Sequence, residues 1–148
     1  MRIALVFMFM LVSHAALANE YYVKKPSPYT VAETLDRLTN VLKKKGITIF
    51  ARVDHAAGAK KVSKTLRPTA LLIFGNPKLG TPLMQSSQLI GLDLPLKALA
   101  YKDEAGKVWL TYPMPGHLKA KYGISDKDPV FAKITGALGK LTDAALKP

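Results

Sequence analysis

Asp54 stands directly before His55, and a Gly75-Asn76-Pro77-Lys78-Leu79-Gly80-Thr81 run follows later in the chain. An Asp beside a His is the arrangement that orients an imidazole as a base or fixes its tautomer as a metal ligand. Adjacent strand residues point to opposite faces, however. The same pair therefore also reads as Asp54 capping a helix and His55 in its first turn. The glycine run has the Gly-x4-Gly spacing of a phosphate-cradling loop. Thr81 and Pro82 occupy the places where that loop needs Lys and then Ser/Thr, which excludes nucleoside-triphosphate hydrolysis. Two readings stay open for this turn. In one, Gly75 ends a strand, Asn76 caps and Pro77 starts a helix. In the other, that helix start also holds an anion or carboxylate, helped by Lys78.

The remaining chemistry is bounded by what the chain lacks. It has no cysteine, so disulfides, thiolate metal sites and covalent haem attachment are excluded. There is no Gly-x-Ser-x-Gly or His-Glu-x-x-His pattern, and Ser86-Ser87 has no evident base partner. The imidazole and thioether residues beyond the N-terminal segment are His55, Met84, Met114 and His117. Thioether plus imidazole suits Cu(I) or a His/Met haem. Against this, a Met on an apolar helix face fills core space. No metal is assigned, His55 and Met84 being the alternative pair, and no cofactor is identified.

These residues must be positioned by elements that the hydrophobic pattern outlines. Residues 20–23 read as a short strand. Thr30 with Glu33 forms a capping box, and Val31, Leu35, Leu38 and Leu42 recur at helical spacing, so a helix is expected over 31–45, closed by Gly46. A strand over 47–53 leads into Asp54, and a short Ala-rich helix follows over 55–64. Leu71-Leu72-Ile73-Phe74 is a continuous apolar run, as expected of a strand buried on both faces. A helix then carries Leu83, Met84 and Ile90. Strands over 96–102 and 108–112 flank a charged Gly-containing loop and form a hairpin. One or two helical turns come at 118–122. A last helix with Phe131, Ile134, Leu138, Leu141 and Ala145 on one face completes the chain. The expected architecture is a single compact α/β (α+β) domain, with a mixed sheet of about four or five strands and helices packed on it.

The first residues have a different character. Arg2, the apolar stretch 3–12 and Ala16-Leu17-Ala18 give the n-, h- and c-region order of a secretory signal peptide, with cleavage after Ala18 and Asn19 first in the mature chain. The apolar stretch is far short of the ~20 residues that a span requires, and no later segment is long and apolar enough. The expected location is periplasmic or secreted, with residues 19–148 as the domain. The chain is 148 residues long with a formal charge of +12, and its lysines are dispersed rather than interleaved with aromatics as in single-strand binders. Nucleic acid is therefore not an expected partner, and the charge reads as a solvated surface.

One set of segments is distinctive. It runs from Ala51-Arg52-Val53-Asp54-His55-Ala56 through Leu66-Arg67-Pro68-Thr69 to Leu71-Leu72-Ile73-Phe74-Gly75-Asn76-Pro77. It continues with Gly80-Thr81-Pro82-Leu83-Met84, Leu92-Asp93-Leu94-Pro95-Leu96-Lys97 and Val108-Trp109-Leu110-Thr111-Tyr112. Together these resemble the bacterial and archaeal family known as domain of unknown function 302, over about 27–124. The resemblance implies a compact α/β domain that often pairs as a homodimer, and it implies no activity. The residues themselves suggest a non-catalytic domain that binds a small ligand or a partner through Asp54, His55, Gly75, Asn76, Thr81 and Met84. The alternative is an enzyme using His55 as acid/base beside the Gly75-Asn76-Pro77 turn. If the strands ending at Asp54 and Gly75 are parallel neighbours, both turns emerge at one end of the sheet, where open α/β folds place ligands.

Overall fold

A computed structural model describes residues 21–148; the signal-peptide expectation falls outside them. The element order is β1 (Tyr22–Ser27), α1 (Val31–Lys44), β2 (Thr48–Asp54), α2 (His55–Lys61), β3 (Thr69–Gly75) and α3 (Pro77–Ser86). A 3-10 turn (Gln88–Leu92), β4 (Leu96–Lys102), β5 (Val108–Pro113), α4 (Pro115–Lys121) and α5 (Asp128–Leu146) complete it. The five strands form one sheet in the order β1-β5-β4-β3-β2. The fold is a single α+β domain.

The sheet is not mixed. Every neighbouring pair runs antiparallel, including β2 with β3. Parallel pairing of the strands ending at Asp54 and Gly75 was the condition for their turns to share one end, and it does not hold. Here α2 has only seven residues and none of them is buried. It serves as a wide turn that returns the chain beside β2, whereas a parallel return needs a crossover that packs on the sheet, and α2 has no buried face to do so.

Helix α1 forms where the sequence places it. Thr30 Oγ1 accepts from Glu33 N at 3.2 Å, and Glu33 Oε2 accepts from Thr30 N at 3.1 Å. Lys43 and Lys44 occupy its last turn, and Gly46 follows with φ +68°. Its stripe of Val31, Leu35, Leu38 and Leu42 packs on one sheet face, where it meets Leu72, Phe74, Ala98, Ala100, Leu110 and Tyr112. The stripe of α5 (Phe131, Ile134, Leu138, Leu141 and Ala145) joins the same core. From β1, Lys25 Nζ reaches Thr142 Oγ1 at 2.8 Å and Asp143 Oδ1 at 2.6 Å, tying the edge strand to α5.

Among the described residues, no helix packs over the other sheet face. Leu72 and Phe74 are buried as expected, but the alternate residues Leu71 and Ile73 are only half-buried. The run is therefore not covered on both faces. Leu71, Lys97, Leu99, Tyr101 and Thr111 line a shallow hollow on this open side. At its edge, Trp109 Nε1 donates to Asp103 Oδ2 at 2.7 Å, and the ammonium groups of Lys24 and Lys107 lie 4.1 and 4.3 Å from the indole ring centre.

Candidate functional site

The turn that opens α3 is built as its residues dictate. Asn76 is extended at the N-cap, its Oδ1 accepts from Lys78 N at 2.9 Å, and Pro77 takes the first helical position. Gly75 packs closely against its neighbours. A Cβ there would lie 3.4 Å from both the Phe50 ring and Pro95 Cβ. Leu83 is fully buried and anchors α3 to the core.

Behind this turn lies a cavity of about 240 Å³. Its walls come from five places. Ile47 precedes β2 and Phe50 lies in its first half, while Phe74 and Gly75 end β3. Asn76, Pro77, Leu79, Gly80, Thr81 and Met84 come from α3. Gly91, Leu94, Pro95 and Leu96 precede or open β4, and Ile134, Ala137, Leu138 and Leu141 come from α5. The walls are hydrocarbon except for Asn76 and Thr81. No carboxylate, imidazole or ammonium group lines it among the described residues. Asn76 spends only its carbonyl oxygen on the cap, so its amide N–H groups remain as donors. Phe50, Pro77 and Thr81 are exposed and mark the opening.

Of the six residues that the sequence suggested, four converge here: Gly75, Asn76, Thr81 and Met84. Asp54 and His55 do not. In the β2–β3 register Thr48 faces Gly75, whereas Asp54 faces Ala70. The two turns therefore leave opposite ends of the strand pair, about 17 Å apart at ~3.4 Å per residue. Asp54 is the N-cap of α2, its Oδ1 accepting from Ala57 N at 2.9 Å, and His55 is an exposed first-turn residue. This overturns the shared His55–Asn76 site and the enzyme built on His55 beside the Gly75 turn. The same separation parts His55 from Met84, so they do not form a metal-ligand pair. His117 stacks on Tyr21 with ring centres 4.2 Å apart.

Phe50, Leu94, Pro95 and α5 contribute walls that the sequence pattern does not mark. Ile134, Leu138 and Leu141 were legible only as a core stripe. A signal for Ala137 existed in hindsight: it is a small residue beside that stripe, which leaves space where a larger side chain would fill it. At the same end, Asp93 Oδ2 accepts from Lys121 Nζ at 2.8 Å and from the Tyr122 hydroxyl at 2.6 Å. The bond from Lys121, then that from Tyr122, holds the Asp93 carboxyl below its ordinary pKa, while the carboxylate raises the Tyr122 phenol.

The profile of the family described as "Domain of unknown function DUF302" matches residues 23–141. The chain belongs to this family. The match reaches well past residue 124, so most of α5 is also part of the family domain. A crystal structure of an uncharacterized conserved DUF302 protein from Bacillus stearothermophilus shares the fold, with a TM-score of 0.69 and 21% identity. It covers 86% of this chain and 96% of that one. Two longer relatives are 45% identical over 124 residues: "Fluoride-specific ion channel FluC 1" of Brucella suis and "Fluoride-specific ion channel FluC 2" of Brucella melitensis. The match takes in 82% of this chain but 49% and 46% of theirs, so the DUF302 chain spans about half their length. No described helix is long and apolar enough to cross a membrane.

Proposed function

We propose that this DUF302 domain is a non-catalytic binder of a small, mainly apolar ligand, held in the cavity behind the Asn76 turn. The observation that carries this is the cavity itself. It has apolar walls, two neutral polar groups at its mouth and, among the described residues, no titratable side chain that could act as acid, base or nucleophile. Its volume exceeds the ~150 Å³ of an engineered apolar cavity that holds benzene. Fluoride conduction, named for the longer relatives, is not part of this reading, because hydrocarbon walls offer an ion no ligands.

The test is titration with a neutral environment-sensitive naphthyl probe. Saturable binding to the wild-type domain is expected, with loss of binding in Ala137→Phe, whose ring would occupy the space. Equal binding by both would place the probe elsewhere and defeat the proposal.

A second reading concerns assembly. The half-buried Leu71, Ile73, Leu99 and Tyr101 on the uncovered sheet face favour a homodimer joined through that face. Sedimentation equilibrium should give a dimer that Leu99→Lys dissociates. Export with cleavage after Ala18 is proposed from the leader pattern; N-terminal sequencing of the mature protein should start at Asn19, and an intact Met1 would refute it.

A further inference from the structure

Resting on the cavity-binder reading, the charge around the cavity narrows the ligand class. Ala137 lines the cavity from α5. Lys133 and Lys140 stand four residues before and three residues after it, on the same strip of the helix as Ala137. Both are exposed, and neither has an ion-pair partner among the described residues. The opposing sign is scarce here. Asp93 is the one acidic residue adjacent in sequence to a wall residue, and its carboxylate is already taken up by Lys121 and Tyr122. An apolar interior with exposed lysines that form no ion pair among the described residues beside its wall residues, Lys78 on α3 and Lys133 and Lys140 on α5, is complementary to a molecule with a hydrocarbon body and one negative end.

We infer that the cavity takes a medium-chain amphiphilic anion, a carboxylate of about eight carbons, with its chain among the apolar walls and its head toward Lys133 and Lys140. The size follows from the volume. At about 240 Å³ the cavity holds more than a single ring, yet it is too small to enclose a long membrane-lipid chain. The Asn76 amide donors offer the head a neutral hydrogen bond that an alcohol could use equally. The lysines therefore carry the discrimination between acid and alcohol.

The experiment compares octanoate with octan-1-ol by isothermal titration calorimetry, both below their aggregation limits. The proteins are the wild type, Lys133→Gln/Lys140→Gln and Ala137→Phe, each first shown to unfold cooperatively. Octanoate should bind the wild type more tightly than octan-1-ol. The lysine double variant should weaken octanoate roughly five- to tenfold and leave octan-1-ol unchanged. Ala137→Phe should abolish both. Equal affinities for acid and alcohol, or an octanoate affinity indifferent to the lysine variant, would overturn this inference. If octan-1-ol still bound in an Ala137-dependent way, the cavity reading would survive that failure. Absence of binding by both compounds would overturn the two together.

Discussion

The chain writes the same local grammar twice, once at Asp54-His55 and once at Gly75-Asn76, and only one instance makes a cavity. Each time a strand ends, an Asx side chain caps the next helix, and the cap bond is 2.9 Å long. The difference lies behind the turn. Helix α2 buries nothing, whereas α3 buries Leu83 and faces α5 across a space that glycines and Ala137 leave unfilled. A capping motif settles where a helix starts. Whether that start becomes a site depends on what the tertiary fold brings to its back, which includes residues some 60 positions away.

The comparison breaks first on core energetics. Leu83→Ala and Phe74→Ala, at positions 0% and 2% exposed, should each cost about 2–5 kcal/mol in urea unfolding. Val62→Ala just beyond α2, at a position 67% exposed, should stay within about 0.5 kcal/mol. Similar losses at Leu83 and Val62 would mean that α2 is as well anchored as α3. Next come the caps, where the two turns should behave alike. Asp54→Ala and Asn76→Ala should each lose ~1 kcal/mol, while only Asn76→Ala changes probe binding. A loss of binding with Asp54→Ala would undo the separation of the two ends.

A smaller effect is expected for Gly80→Ala. Its Cβ would sit 3.7 Å from Leu94 and 3.9 Å from Met84. Helix propensity should raise stability by up to ~1 kcal/mol, yet the added methyl narrows the cavity, so tighter folding should accompany weaker binding. The last contrast is in pH. The lowered pKa of Asp93 means that its bonds to Lys121 and Tyr122 stabilise the fold fully above the ordinary carboxylate range, and that this contribution is lost as pH falls through the folded-state pKa. The stability gap between wild type and Asp93→Asn should be on the order of 1 kcal/mol at neutral pH and close on acidification. A gap unchanged down to pH 3 would assign it to something other than ionisation.

Most elements were legible because their signals are local. The Thr30–Glu33 box, the α1 and α5 stripes, and the hairpin around Gly106 each depend on residues within a few positions. The antiparallel pairing of β2 and β3 was not legible. Seven residues of α2 look like the start of a crossover, and only its lack of a buried face distinguishes it. That one unread fact moved His55 from the site to the far end. Four site residues were still found, since Gly75, Asn76, Thr81 and Met84 share one turn and its helix. The wall from α5 was hidden, because a stripe facing a cavity and a stripe facing a filled core have the same periodicity.

The environment of Trp109 has a practical use. It is the sole tryptophan of the chain, held between two lysines at the edge of the sheet face that bears no helix. Its emission should therefore respond to whatever settles on that face and remain silent when the cavity on the opposite side fills. A single optical signal thus separates the two surfaces: a spectral shift on concentrating the protein reports self-association, and a ligand that raises the melting temperature without altering the spectrum has entered from the other side.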